Sequence, residues 1–231
     1  MDKILTRPVT TKWGSKLQMH YREGRSDWNT VLAILQQDEY LFHKLPFVRG
    51  VGIDLGAHIG TATIAMASLG MQVISVEILP ENIEMIQKNL DINGLKSRIY
   101  HRAVGGNDTD ILHLEYTNPS TETGFVHEFI GQAKVDALGP GIQTISLDTI
   151  FAENQINRCN ILKTDCEGGE WPAFEKVSSD TLRKIDWIVG EIHGRTRDEF
   201  VKLLGGIFED VTSTYMSPGA AGMFHVILRR I

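Results

Sequence analysis

Apolar and polar positions switch repeatedly between a period of two and a period near 3.6, which predicts strand–helix units in succession. The run Val51-Gly52-Ile53-Asp54-Leu55 reads as a strand and breaks into the glycine turn Gly56-Ala57-His58-Ile59-Gly60. Thr61–Ala67 follows as a helix stopped at Gly70, and Gln72–Glu77 is the next strand. Pro80 opens a helix with a buried stripe of Ile83, Ile86 and Leu90, and Gly94 ends it. Arg98–Val104 reads as a third strand, leading into the turn cluster Gly105-Gly106-Asn107-Asp108. Further on come a helix at Leu147–Gln155, a strand at Cys159–Asp165 and a helix over Trp171–Leu182 broken near Ser178. A strand at Asp186–His193 and a helix at Thr196–Leu204 complete the series. Phe208–Tyr215 and Met223–Arg229 read as strands with no helix between them, which predicts a closing hairpin and one antiparallel edge strand.

Two stretches depart from this rhythm. Lys16–Tyr21 alternates like an edge strand, and Ser26 or Asp27 caps a helix predicted to run to about His43, with Pro46 beyond it. Trp28, Val31, Leu32, Leu35 and Leu41 form its apolar stripe. Residues 109–147 hold strands at Ile111–Tyr116 and Gln143–Ser146, interrupted by Asn118-Pro119, Gly124 and Gly139-Pro140-Gly141. An inserted hairpin or small antiparallel sheet is expected, with a mobile loop around Pro119–Gly124. The expected division is an extension over residues 1–48 that closes a cofactor site, and a main α/β domain over 49–231 carrying the insertion.

Composition narrows the class. A chain of 231 residues, 42% hydrophobic and 23% charged, suits one globular α/β unit with an attachment. The net charge of −6 opposes a nucleic-acid substrate. Two cysteines, Cys159 and Cys166, make no disulfide framework. With no membrane-length apolar run and no signal-peptide pattern, a cytoplasmic protein is expected.

The chemistry lies at strand ends. Open α/β sheets bind ligands outside the carboxyl ends of their strands. Those ends carry Asp54, Glu77, Asp165 with Glu167, and Glu191 with His193. Gly56 and Gly60 tolerate positive φ and let a ligand lie against the backbone. The dinucleotide pattern G-x-G-x-x-G is absent. A carboxylate from Asp54 aimed into the turn would repel a pyrophosphate and suit a positively charged, phosphate-free cofactor such as S-adenosylmethionine. Glu77, about 20 residues past the turn, suits the hydroxyls of a ribose. Glu191 and His193 lie two apart and share one side of their strand. Cys166 reads as a packed thiol, and Arg195 is a candidate partner for Glu191.

The motifs Arg22-Glu23-Gly24-Arg25-Ser26-Asp27, Ile53–Gly60, Val76-Glu77 with Pro80, Asn82 and Asn89, and Ala103-Val104 together resemble the FkbM family of S-adenosylmethionine-dependent methyltransferases. Leu147-Asp148, the run Lys163-Thr164-Asp165-Cys166-Glu167-Gly168-Gly169-Glu170 and Glu191-Ile192-His193 extend the likeness over nearly the whole chain. Cys166 and Gly169 depart from the family's common valine and alanine, and Ile78-Leu79 separate Glu77 from Pro80. The charged positions are intact. The resemblance implies a seven-stranded Rossmann-like methyltransferase sheet and O-methylation of a small molecule, sugar or natural-product hydroxyl. It assigns Asp54, Gly56, Ala57 and Gly60 to the donor turn, Glu77 with Ile78 to the ribose, Ala103 and Val104 to the adenine, and Ser26 to the donor's methionine end. The expected partner is a small-molecule acceptor, with neither nucleic acid nor membrane, and with oligomeric state left open. An NAD-dependent oxidoreductase and a catalytically silent binding subunit are the alternatives.

Asp165, Glu191 and His193 are the expected catalytic residues. In one version His193 is the general base, with an ordinary pKa of about 6.5 and a carboxylate to orient it. In the other the three bind a divalent metal that acidifies the acceptor hydroxyl. The metal-free version is preferred, because no specific metal spacing is present.

Overall fold

A computed structural model describes residues 2–45, 50–116, 125–129, 141–217 and 225–231. The chain begins with a hairpin of Ile4–Thr10 (β1) and Lys16–Arg22 (β2), then a short helix, Asp27–Val31 (α1), which widens into a π-helical stretch over Leu32–Gln37. Val51–Leu55 (β3), Thr61–Ser68 (α2), Gln72–Glu77 (β4), Pro80–Ile92 (α3) and Ser97–His101 (β5) follow. A second sheet is built from Ala103–Val104 (β6), Ile111–Tyr116 (β7), Phe125–Phe129 (β8) and Ile142–Ile145 (β9). Leu147–Glu153 (α4), Ile161–Thr164 (β10), Glu170–Lys176 (α5), Ser179–Leu182 (α6) and Trp187–Glu191 (β11) resume the alternation. Arg197–Leu203 (α7), Phe208–Asp210 (β12), Thr212–Tyr215 (α8) and His225–Arg230 (β13) end it.

The main sheet has seven strands in the order β12-β13-β11-β10-β3-β4-β5. From β3 the chain goes first to β4 and β5 on one side, then returns to β10 and β11 on the other. The order therefore reverses beside β3, where ligands of open α/β sheets bind. Ile53 and Leu55 of β3 face one apolar layer with Phe151, Phe174 and Phe200. The opposite layer joins Met19, Tyr21, Val31 and Leu35 of the N-terminal segment to Ile64 and Met66 of α2 and Ile86 of α3. Asp54, alternating with its apolar neighbours, points into this second layer, where its carboxylate accepts from the Thr63 hydroxyl at 2.7 Å.

The N-terminal segment is sewn on by amides as well. Asn89 Oδ1 accepts from His20 N at 2.7 Å, while Asn89 Nδ2 donates to the carbonyls of His20 at 3.2 Å and Ile59 at 2.9 Å. One side chain of α3 thus ties β2 to the glycine turn.

Several expectations are corrected. Lys16–Tyr21 is a strand, but it pairs with β1 in a separate sheet rather than edging the main one. The first helix ends at Asp38, not near His43, because Asp38 turns left-handed at φ 60° and its carboxylate accepts from His43 N. Ile83 is only partly buried, and Asn82, Met85, Ile86, Asn89 and Leu90 form the inner face of α3. The expected third strand splits at Arg102. Its amide donates to the Glu77 carbonyl at the end of β4, and Ala103–Val104 pairs with β9 instead. The insertion is a mixed sheet, since β6 and β9 run parallel while β7 is antiparallel to β8 and β9. Phe208–Tyr215 is half strand and half helix: Asp210 Oδ1 accepts from Thr212 N at 2.8 Å and bends the chain. The closing hairpin is present, and its antiparallel member, β13, lies between β12 and β11, one strand in from the edge. Pro46, the loop Pro119–Gly124 with Asn118, Gly139-Pro140 and the predicted strand start at Met223 fall outside the described residues.

Candidate active site

The turn after β3 is shaped by backbone that few residues tolerate. Gly56 has φ 72°, and a Cβ there would lie 2.0 Å from the Asp165 carbonyl oxygen, so only glycine lets β3 and β10 end side by side. Gly60, at φ 88°, opens α2. His58 between them is left-handed at φ 53°, which aims its amide at Glu77 Oε2, 2.6 Å away. Glu77 Oε1 accepts from the amides of Ile78 at 2.8 Å and Leu79 at 2.9 Å. Burial raises the Glu77 pKa, against the pull of these amides. Ala103 and Val104 lie just beyond the Arg102 amide bonded to the Glu77 carbonyl, which brings them beside the ribose candidate.

The segment before α1 reaches the same turn. Arg22 Nε and Nη2 each donate to the Asp27 carboxylate at 2.8 Å, and both side chains are buried. His58 Nε2 lies 3.1 Å from Arg22 Nη2 and 3.3 Å from Asp27 Oδ1. Ser26 precedes Asp27 directly and starts α1 without a side-chain capping bond.

Asp54 does not face into the turn as expected. It is fully buried, and its Oδ1 lies 3.2 Å from Lys163 Nζ on the neighbouring strand, the partner that parallel register dictates. Lys163 Nζ also donates to the carbonyls of Leu55 at 3.1 Å and Gly56 at 2.7 Å. Burial pulls the Lys163 pKa down, but Asp54 and then Asp165 outweigh it and raise it. Asp54 therefore acts on the turn through Lys163.

Across the turn, Asp165, Glu191 and His193 come together as expected, and Glu167 joins them. His193 Nε2 is 3.9 Å from Asp165 Oδ1, 3.9 Å from Glu167 Oε2 and 3.7 Å from Glu191 Oε2. His193 Nδ1 is 3.2 Å from Oε1 of the fully buried Glu170. That bond is the chief cause of a His193 pKa raised to about 9. Burial first, together with the Asp165 charge, raises the pKa of Glu167 and Glu191 against the pull of the nearby histidines. Cys166 is the packed thiol expected, its pKa pushed well up by burial and by Glu170. Arg195 pairs with Glu175, not with Glu191.

Four contributors escaped the sequence reading. Tyr40 donates its hydroxyl to Asp165 Oδ2 at 2.9 Å, and burial and Asp165 raise its pKa well above the ordinary value. Glu39 Oε1 lies 3.3 Å from His225 Nε2, which is 3.2 Å from Glu191 Oε1. Glu170 lay inside the recognised motif without a role. Tyr40 and Glu39 gave no signal because a helix to His43 would carry them onward, whereas the left-handed Asp38 turns them inward. Two sets, Asp165 with Glu167 and His193, and Glu39 with Glu191 and His225, bring potential metal-ligating atoms within 4.8 Å of one another.

Residues 54–217 match the profile described as the Methyltransferase FkbM domain. The chain belongs to the FkbM methyltransferase family. No curated protein matches the sequence. Among solved structures, the 16S rRNA N2 G1207 methyltransferase of T. Thermophilus, in complex with AdoMet and guanosine, is similar at TM-score 0.50 and 19% identity. That likeness covers 98% of this chain and 50% of the other, so the chain spans half the length of that relative. An rRNA methylase from Streptococcus thermophilus is similar at TM-score 0.51 and 10% identity, over 85% of this chain and 95% of the other. Identities this low bear on the fold alone: a class I methyltransferase sheet. Among the described residues of this FkbM methyltransferase, no helix is long and apolar enough to cross a membrane.

Proposed function

We propose that this FkbM methyltransferase uses S-adenosylmethionine to methylate a hydroxyl oxygen of a small molecule, sugar or natural-product scaffold. The observation that carries the reading is the contact of Gly56 with Asp165, which sets the glycine turn directly against the carboxylate and imidazole group. On this reading the donor lies along Gly56, Ala57 and Gly60, with its ribose on Glu77 beside Ile78 and its adenine by Ala103 and Val104. Ser26 is assigned to its methionine end. The segment that carries Arg22 and Asp27 closes over it through their contacts with His58. A new O–C bond forms as the S–C bond breaks, the sulfonium becomes a neutral thioether, and the acceptor loses a proton. Asp165, Glu191 and His193 align the oxygen, and a carboxylate of this group takes up that proton. His193, held charged by Glu170 at neutral pH, is unsuited to be a simple base there.

The two solved structures named above are of rRNA methyltransferases. Against that substrate class here stand Glu39, Asp165, Glu167 and Glu191, whose charge opposes a phosphate backbone. The stretch after β10 also reads Asp165-Cys166-Glu167-Gly168 rather than the Asn/Asp-Pro-Pro-Tyr that amino-methylation of bases uses.

The test has two stages. Calorimetry with S-adenosylmethionine and with NAD identifies the cofactor, and NAD binding in its place overturns the reading. Labelled S-adenosylmethionine is then offered with hydroxylated small-molecule fractions and with RNA. Label on an oxygen of a small molecule supports the proposal; label on RNA, or donor binding with transfer to nothing, sinks it.

A further inference from the structure

We propose that Asp165, Glu167 and His193, with Glu191 beside them, form a site for one divalent metal ion of the manganese class, on the acceptor side of the methyl-transfer site. The proposal deepens the methyltransferase reading and rests on it for the ion's use, though not for its binding.

The separations are those of a cage. His193 Nε2 stands 3.7–3.9 Å from one oxygen of each of the three carboxylates, beyond hydrogen-bond reach. Ligands about 2.1 Å from an ion lie about 3 Å apart when adjacent in an octahedron and about 4.2 Å when opposite. The His193 separations fall between these limits, and ligand atoms of Asp165, Glu167 and His193 all lie within 4.8 Å of one another, so small rotations of the side chains bring these three onto a common ion.

Asp165, His193 and the neighbouring Glu191 share one further arrangement. Each has one polar atom held by the protein and the other turned to the same point. Asp165 Oδ2 accepts from Tyr40 at 2.9 Å, and Oδ1 faces His193. Glu191 Oε1 is 3.2 Å from His225 Nε2, itself bonded to Glu39, and Oε2 faces His193. His193 Nδ1 is 3.2 Å from Glu170, and Nε2 faces the carboxylates. Glu170 has no solvent exposure, and it also accepts from the amides of Cys166 at 2.7 Å and Gly168 at 2.9 Å. One rigid carboxylate thus fixes both the imidazole and the loop that carries Asp165 and Glu167. Carboxylates that orient a histidine in this way are a regular outer shell of metal sites.

Charge and ligand type choose the ion. Three carboxylates facing one imidazole leave an excess of negative charge that a dication offsets. Calcium and magnesium favour all-oxygen sets, whereas carboxylate oxygens with one imidazole suit manganese(II), iron(II) or zinc. Bound there, the ion leaves coordination positions for water and for an acceptor hydroxyl, whose pKa it lowers.

The experiment titrates manganese(II) into the chelator-treated full chain, followed by calorimetry and by loss of the free-ion paramagnetic signal. One equivalent should bind, at least tenfold more weakly in Glu167→Gln and His193→Gln, and unchanged in Glu175→Gln, whose carboxylate pairs with Arg195 elsewhere. Thermal melts confirm that the variants are folded; Glu167, on a partly exposed loop, is the substitution least costly to folding. No saturable binding of manganese or zinc at millimolar concentration overturns the site, as does wild-type affinity in both variants. Manganese binding that the variants lose, without methyl transfer to any hydroxyl, keeps the site and sinks the O-methylation reading. Transfer that persists in chelator, without ion binding, does the reverse.

Discussion

Lys163 Nζ donates to the Gly56 carbonyl at 2.7 Å while standing 3.2 Å from the Asp54 carboxylate. The ammonium thereby holds the turn after β3 against β10 from inside the core. Removing one member of a buried pair strands the other charge, at a cost of about 3–5 kcal/mol. Lys163→Met should therefore lose a large part of a domain's stability, typically about 5–15 kcal/mol in all, read as a large drop in the urea midpoint at unchanged slope. A variant as stable as wild type would show that the glycine turn holds itself.

The sheet was legible because its strands and helices carry strong periods bounded by Gly and Pro. The glycine turn and the acids at strand ends were legible for the same reason. Asp54 was misread because alternation alone does not say which layer a polar residue enters. The cross-strand Lys163, in register with it, decides that. Tyr40, Glu39 and His225 were hidden for a different reason. Their approach to Asp165 and Glu191 depends on a left-handed Asp38 and on pairing between β11 and β13, neither of which has a local signature. Ala103–Val104 was read as the continuation of β5, because where a partner strand ends is a tertiary fact.

Glu77 accepts three backbone amides, from His58, Ile78 and Leu79. Glu77→Ala removes the proposed ribose acceptor and loosens the turn that presents the donor. Affinity for S-adenosylmethionine should fall by about 1–3 kcal/mol, the worth of charge-assisted bonds. Calorimetry on a folded variant checks this, and an unchanged dissociation constant would remove Glu77 from the donor site.

The buried Arg22–Asp27 pair should make the N-terminal segment acid-sensitive. Burial works to raise the Asp27 pKa, but bonds from His58 and Arg22 overcome it and hold the carboxyl well below the ordinary range. A depressed folded pKa gives stability that is complete above the unfolded value, about 3.9, and is lost as pH falls toward the folded one. Asp27→Asn should be less stable than wild type at pH 7, with the gap narrowing below about pH 4. Denaturant midpoints across pH 2–7 measure it, and a gap independent of pH would mean that the carboxylate charge contributes nothing.

His193 offers the opposite sign. Its bond to Glu170, with Glu167 and Asp165 adding to it against burial, raises its pKa to about 9, compared with about 6.5 in the unfolded chain. The stability this supplies is fully present below pH 6.5 and disappears as pH rises through 9. In chelator-treated, donor-free protein, the His193 ring resonances should therefore titrate near pH 9. Glu170→Gln keeps the shape but removes the charge, and should bring that midpoint down toward 6.5. A wild-type midpoint already near 6.5 would return His193 to the role of simple base at neutral pH. A midpoint near 9 leaves the neutral imidazole scarce at pH 7, so that a group other than free His193 must take the acceptor's proton.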